Sequence, residues 1–146
     1  AREMDSKGIA FSPDGLEDMA RASSAVLEIV SLAQQALEQE DTGLARQVEP
    51  LEEVISTMLE GMKLRHIRRL QSGMCTLEVG FILNDCINNF ERVAGHCSNV
   101  ALAVLELRYA DLQFHDYARD VRQGDQPEFR RWLAFYKEKY LGPAPV

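Results

Sequence analysis

The sequence predicts an all-α protein, an antiparallel three-helix bundle followed by a short C-terminal helical extension. Apolar residues recur in alternating steps of three and four along three long stretches of the 146-residue chain. That spacing is typical of helices buried on one side. No segment alternates between apolar and polar residues for long enough to make a strand. With 46% hydrophobic residues, the chain can also bury a core.

The first helix is predicted to follow an N-terminal arm at residues 1–12. Ser12 precedes Pro13, and Asp14 falls in the first turn, which together are typical of a helix start. The predicted buried positions of this helix, which ends near Glu40, are Leu16, Met19, Ser23, Val26, Val30, Ala33 and Leu37. Asp41 or Thr42 can cap the next helix, so a tight antiparallel hairpin is expected here.

The second helix is predicted to end at Ser72-Gly73. Its apolar positions are Leu44, Val48, Leu51, Ile55, Met58, Met62, His66 and Leu70. Pro50 lies about two turns inside and should bend the helix; a helix that begins only at Glu49 is the alternative.

The third helix should span residues 76–109 and carry two stripes. Its predicted apolar seam is Leu83, Cys86, Phe90, Val93, Cys97, Val100, Val104 and Leu107. A polar stripe with the same rhythm contains Asn84, Asn88, Glu91, Gly95 and Ser98. Burial of the helix in a bundle explains the apolar seam. It does not explain why polar residues recur with the same spacing, so the polar stripe requires a separate reason.

The bundle is thus predicted at 13–109, the extension at 110–141 and a tail at 142–146. The extension should hold a short helical segment at 112–123 and a last helix that opens with a capping box at 125–128. One face of that last helix carries Phe129, Trp132, Leu133, Tyr136 and Tyr140.

Composition narrows the class of protein. The formal net charge of −7 argues against nucleic acid as a partner. No apolar run reaches the roughly 18 residues of a membrane span and no signal peptide opens the chain, so a soluble domain with reduced cytosolic thiols is expected. Because the chain begins at Ala1, we expect an excised domain or a processed chain; a removed initiator Met or a trimmed tag would look the same.

Candidate sites are few. No phosphate loop, nucleophile elbow or metalloprotease motif is present, so the protein is predicted to be non-enzymatic. Carboxylates on the second and third helices could meet and hold a cation, although a solvated acidic face is the alternative: Glu49, Glu52, Glu53 and Glu91. Histidines and cysteines lack zinc-finger or ribbon spacing, and His96 is instead expected to be a half-buried hydrogen-bonding residue at a helix interface.

A basic band at the end of the second helix could receive phosphate or a lipid headgroup. It contains Lys63, Arg65, Arg68 and Arg69. Arginine matches phosphate oxygens in a bidentate way. The alternative is that these groups pair with carboxylates of this acidic protein.

The third-helix string from Phe90 to Ala101, FERVAGHCSNVA, resembles the "ERIGDHAxNIA" motif of PhoU-type helical domains. The segments at 49–57, 63–70 and 73–75 resemble the version found at the C-terminus of bacterial Na/Pi-cotransporter-like membrane proteins. The resemblance covers about residues 10–140. It implies a three-helix bundle that regulates phosphate uptake.

The resemblance also implies a possible metal site, because some members of the family bind iron or zinc clusters through Glu-x-x-x-Asp pairs. The corresponding pairs here are Glu52 with Ser56 and Glu91 with Gly95. Each pair lacks the aspartate, so Glu52 and Glu91 are candidate ligands with half the usual charge. Glu49, Asn88 and His96 are supporting candidates, and no resident cofactor is expected.

The function that the resemblance implies is a regulatory domain on the cytoplasmic face of the inner or plasma membrane, within a sodium/phosphate cotransporter-like protein. Its partners would be the membrane segments of the same protein, a second copy in a homodimer, or a phosphate-signalling protein. A free-standing metal-binding regulator of phosphate uptake is the alternative.

Overall fold

Four helices make up the part of the chain that the computed structural model describes, residues 11–109 and 126–142. They are α1 (Pro13–Gln39), α2 (Thr42–Gln71), α3 (Leu77–Arg108) and α4 (Pro127–Leu141). The all-α prediction is confirmed, and no strand occurs in these two ranges. The arm up to residue 10, the helical segment at 112–123 and the tail from residue 143 were predicted on residues outside the described ranges.

Side-chain caps set the starts of the first three helices. Ser12 Oγ accepts a hydrogen bond from the Gly15 N–H at 3.1 Å, and Asp41 accepts one from the Leu44 N–H at 3.0 Å. The Thr76 hydroxyl accepts a hydrogen bond from the Val79 N–H. Glu40 ends α1 in the left-handed region at φ 49°, so the chain reverses within two residues. These contacts confirm the predicted helical hairpin.

The preferred start of α2 is confirmed, and the predicted start of the last helix needs correction. Pro50 lies inside α2, which begins at Thr42, so the alternative start at Glu49 is wrong. The capping box of the last helix is also wrong, because its N-cap is Gln126 and this residue makes no side-chain cap bond. Pro127 occupies the first helical position, where its fixed φ and missing N–H suit a helix start without such a cap.

The core lies between α1, α2 and α3, with α2 in contact with every other helix. The apolar seam of α2 is as predicted over its central turns, from Val48 to His66. Antiparallel packing of α2 against α1 is fixed at one end by Arg65, which binds Asp18 near the start of α1. The bundle therefore has the predicted up-down-up arrangement.

The predicted seam of α1 is wrong at several positions. Leu16, Val30 and Leu37 are exposed, whereas the buried face contains Gly15, Ala22, Ala25, Val26, Ile29, Leu32, Ala33 and Ala36. Small residues dominate this face because they let the helix axes approach closely. Val26 and Ala33 of the predicted seam are buried, so a pattern built on the larger side chains gives a face that only partly overlaps the buried one.

The predicted seam of α3 is rotated from the buried face. Val93 and Leu107 are exposed and Phe90 is only half-buried. The buried residues are Val79, Leu83, Ile87, Ala94, Cys97, Ala101, Val104 and Leu105. Leu83, Cys97 and Val104, which are spaced by multiples of seven residues, are buried as predicted. The error lies in the intervening positions, which enter the core one residue later than predicted, at Ile87, Ala94 and Ala101.

The last helix packs against α2 and reaches α1. Phe129, Tyr136 and Tyr140 are buried on its predicted face. On α1, Glu28 accepts hydrogen bonds from the Tyr140 hydroxyl and from Lys139 Nζ, the latter at 2.8 Å. These contacts attach the extension to the bundle. None of the described helices is both long and apolar enough to cross a membrane.

Candidate functional site: the α2–α3 groove

The polar stripe of α3 lies along its boundary with α2, where it faces the carboxylates of that helix. At one level, the Ser98 hydroxyl donates a hydrogen bond to Glu49. One turn along, Glu52 and Gly95 line a shallow groove of about 470 Å³. The groove also includes Arg92, His96, Ser98 and Asn99. The structure thus brings Glu52 to the α3 residues that the sequence placed opposite it.

Glu52 is the most perturbed carboxyl of the groove. Burial of this half-buried side chain raises its pKa above the ordinary value, and the charges of Glu49 and Glu53 raise it further. No arginine or lysine pairs with Glu52 in the described part of the chain. The carboxylate of Glu52 would therefore be stabilised by any added positive charge.

Gly95 leaves space beside Glu52. A Cβ built on Gly95 would meet no atom within 4 Å. The glycine is thus not required by close packing. A side chain can therefore begin at this position without contact between its Cβ and a neighbour.

Glu91, the second candidate ligand, is already paired. Lys63 Nζ on α2 lies 2.8 Å from Glu91 Oε1. Both side chains are partly exposed, and the pair joins α2 to α3. An ammonium group therefore occupies the position beside Glu91 where a metal-binding relative would need a cation.

The supporting candidates do not complete a ligand set. Asn88 and Ser56 are exposed, and His96 is exposed rather than half-buried, which corrects the prediction for it. His96 lies beside, not in, the buried face of α3 because Cys97 takes the inward position. Across the described ranges, no group of three or more histidine, cysteine, aspartate or glutamate side chains could hold a metal ion. These residues do not fit an iron or zinc cluster.

The basic band is divided by the fold. Lys63 turns toward α3, whereas Arg65 forms two hydrogen bonds of 2.9 Å with the carboxylate of Asp18 on α1. Arg68 and Arg69 form no ion pair within the described residues. They line a groove between the C-terminal end of α2 and the start of α1, together with Met74. Only these two arginines retain the predicted ability to receive an anion.

His66 is a buried polar residue that the sequence analysis did not identify as a site. It was assigned only to the apolar seam of α2. It is 8% exposed and its Nε2 has no hydrogen-bond partner. Its Nδ1 lies 3.7 Å from Cys75 Sγ. Burial lowers the pKa of His66 below its ordinary value, and the charge of Arg69 lowers it further. Among the described residues, the His66–Cys75 pair belongs to no group of three or more side chains that could hold a metal ion.

Gly80 explains how His66 fits between α2 and α3. A Cβ at Gly80 would lie 2.6 Å from His66 Nε2, closer than real Cβ contacts allow. The glycine thus lets the ring pack against the backbone of α3. A signal for this contact exists in the sequence, since Gly80 interrupts a helix where alanine would be favoured by roughly 1 kcal/mol.

Comparison with known proteins agrees with this architecture. The chain matches the PhoU domain over residues 19–104, from the first turns of α1 to near the end of α3. No curated protein and no solved structure matches the chain. The matched span includes Glu52 and Gly95, which line the α2–α3 groove. The chain therefore belongs to the PhoU domain family of helical bundles, which act in the regulation of phosphate transport.

Proposed function

We propose that this protein is a cytoplasmic regulatory domain of a sodium/phosphate cotransporter-like membrane protein, which acts through protein–protein contacts. The observation that carries the proposal is the PhoU domain at residues 19–104, which covers most of the bundle. The α2 segments that resemble the transporter-associated version of the domain, at 49–57 and 63–70, lie along the α2–α3 groove and at the basic end of α2.

The Lys63–Glu91 ion pair supports a role that does not depend on a metal cluster. Glu91 has a cation supplied by its own chain, and Gly95 offers no side-chain donor. Binding of a metal at Glu91 would require this pair to break. The Lys63–Glu91 pair then has a structural role, because it links α2 to α3. The outer surfaces of the helices remain for partners.

The partners that this role requires are the membrane segments of the same protein, a phosphate-signalling protein or a second copy of the chain. Catalysis has no support among the groups described. The titratable side chains that line the α2–α3 groove are Glu52, Arg92 and an exposed histidine. The groove's one hydroxyl, that of Ser98, donates a hydrogen bond to Glu49 that joins α3 to α2.

The experiment that tests this proposal is performed on the natural gene product. A chromosomal copy tagged at its C-terminus would be followed through membrane preparation and carbonate extraction. The proposal predicts a product larger than 146 residues that remains in the membrane pellet after carbonate. A tagged product of about the size of this chain in the soluble fraction would contradict it and favour a free-standing regulator.

A further inference from the structure

One end of the bundle exposes an unusual number of large apolar side chains. Leu64 and Ile67 at the end of α2, Met74 in the link, and Leu77 and Phe81 at the start of α3 are between 49% and 71% exposed. We call these five residues the apolar tip. Apolar groups clustered on a surface typically mark a contact with another molecule or a membrane.

The close approach of His66 to Gly80 places the two halves of the apolar tip at one level. Ile67 follows His66 on α2, and Phe81 follows Gly80 on α3. Leu64 and Ile67 lie three residues apart, and Leu77 and Phe81 lie four apart, so each pair shares one helix face. Met74 lies in the link between the two helices. The apolar tip is thus made of exposed side chains from both helices and from the link between them.

Positive charge flanks this end. Arg68 lies one turn beyond Leu64 on α2, and Arg68, Arg69 and Met74 line the same groove. Neither arginine is in an ion pair within the described residues. Nearby carboxylates of α1 are partly neutralised, since Asp18 binds Arg65 and Glu17 binds Arg21. Asp14 lines the same groove without an ion pair in the described residues, so this end of a chain with a net charge of −7 has two available arginines and one unpaired carboxylate.

We propose that the apolar tip and Arg68 and Arg69 form a contact surface for an anionic phospholipid membrane. Leucine and phenylalanine side chains enter the boundary between headgroups and acyl chains, and arginines bind the phosphate groups of the lipids. The contact rests on the proposed function, because a domain attached to a membrane protein is held near lipid. It would orient the bundle with the α2–α3 link toward the bilayer.

A second copy of the chain is the less favourable occupant. In a two-fold symmetric dimer, the same surface of each copy faces the other, so Arg68 and Arg69 would approach their own equivalents. Like charges placed together at an interface are repulsive. An anionic membrane instead offers opposite charge and an apolar layer at the same surface.

Flotation with vesicles tests this inference on the 146-residue chain without any transporter. We expect the chain to float with vesicles of phosphatidylcholine mixed with phosphatidylglycerol, and to bind pure phosphatidylcholine weakly. The double variants Arg68→Gln/Arg69→Gln and Leu77→Ser/Phe81→Ser should each lose vesicle affinity by about tenfold or more. The first removes electrostatic attraction to the anionic lipids, and the second removes apolar area that enters the bilayer.

Matched variants control for charge and apolarity. Arg131→Gln/Lys137→Gln removes two exposed cations of α4, and Leu27→Ser/Leu107→Ser removes two leucines as exposed as those of the apolar tip. Both should bind like the unmodified chain, and circular dichroism would verify that all variants are folded.

The inference would be overturned if the unmodified chain did not float, or if the tip and control variants lost vesicle affinity equally. It would also be overturned if sedimentation showed a dimer of the unmodified chain that is absent for Leu77→Ser/Phe81→Ser. The outcome of the vesicle flotation does not depend on the outcome of the carbonate extraction that tests the proposed function. Vesicle binding can fail while the tagged product is a membrane protein, and the reverse can also occur.

Discussion

Gly80 and Gly95 lie on the same helix but in opposite surroundings. A side chain at Gly80 would collide with the buried ring of His66, whereas one at Gly95 would enter open space. Gly80→Ala should therefore destabilise the protein by about 1–3 kcal/mol through overpacking. Gly95→Ala should stabilise it by about 0.5–1 kcal/mol, because alanine is the better helix former. Urea unfolding of both variants measures the difference, and effects of the same sign would contradict the described contact.

His66 makes the stability depend on pH in a defined direction. Its pKa in the folded protein lies below the ordinary value near 6.5, because the ring is buried and Arg69 is close. The unfolded chain therefore binds a proton first as the pH falls. Stability from this residue is complete above about pH 6.5 and is lost as the pH falls below it.

The measurement is the free energy of unfolding at neutral and mildly acidic pH, for the unmodified chain and for His66→Gln. The loss of stability on acidification should be smaller in the variant, which cannot titrate at this position. Equal losses would show that His66 does not carry the effect.

The two missing aspartates give a prediction about metal. The unmodified chain should carry little iron or zinc, because Lys63 pairs with Glu91 and Gly95 provides no ligand. Ser56→Asp/Gly95→Asp adds two carboxylates beside Glu52 and Glu91, and added metal should then raise the melting temperature by linkage. The control Ser56→Asn/Gly95→Asn has similar shape without the charge and should show no rise. Stoichiometric metal in elemental analysis of the unmodified chain would contradict this account.

At the scale of helices, one carboxylate of α1 anchors the C-terminal end of α4, which otherwise packs on α2. Glu28 accepts hydrogen bonds from Lys139 and from the Tyr140 hydroxyl. Glu28→Ala should leave that half-buried hydroxyl without its partner and cost about 1–3 kcal/mol. Glu38→Ala, on the same helix but bound only to an exposed glutamine, should change the stability by less than about 0.5 kcal/mol. Hydrogen exchange in α4 would show whether the loss is local; equal protection in both variants would count against the contact.

The helix boundaries were predictable because their signals are local. Ser12-Pro13 and Asp41 specify helix starts through contacts within four residues. The buried faces of α1 and α3 were not predictable in the same way. Ala22 and Ala94 face the core because the helices approach closely there. Small residues allow that approach, but they do not stand out in the hydropathy pattern.

For the whole molecule, the order and antiparallel arrangement of the helices follow from the sequence, as does the family through the FERVAGHCSNVA segment. The placement of Glu52 beside Gly95 was also expected from the family pattern. The Lys63–Glu91 pair and the His66–Gly80 contact were not, because both depend on the register between α2 and α3. Sequence spacing along one helix does not specify which residue of another helix lies opposite.

Sodium-dependent phosphate uptake by cells that express the full-length protein tests the central claim most directly. Uptake would be compared at low and high phosphate supply, with the chain intact and with residues 13–141 deleted. The account predicts that uptake persists in the deletion but no longer responds to phosphate supply, while the Gly95→Ala protein responds normally. An unchanged response in the deletion would contradict a regulatory role for this domain.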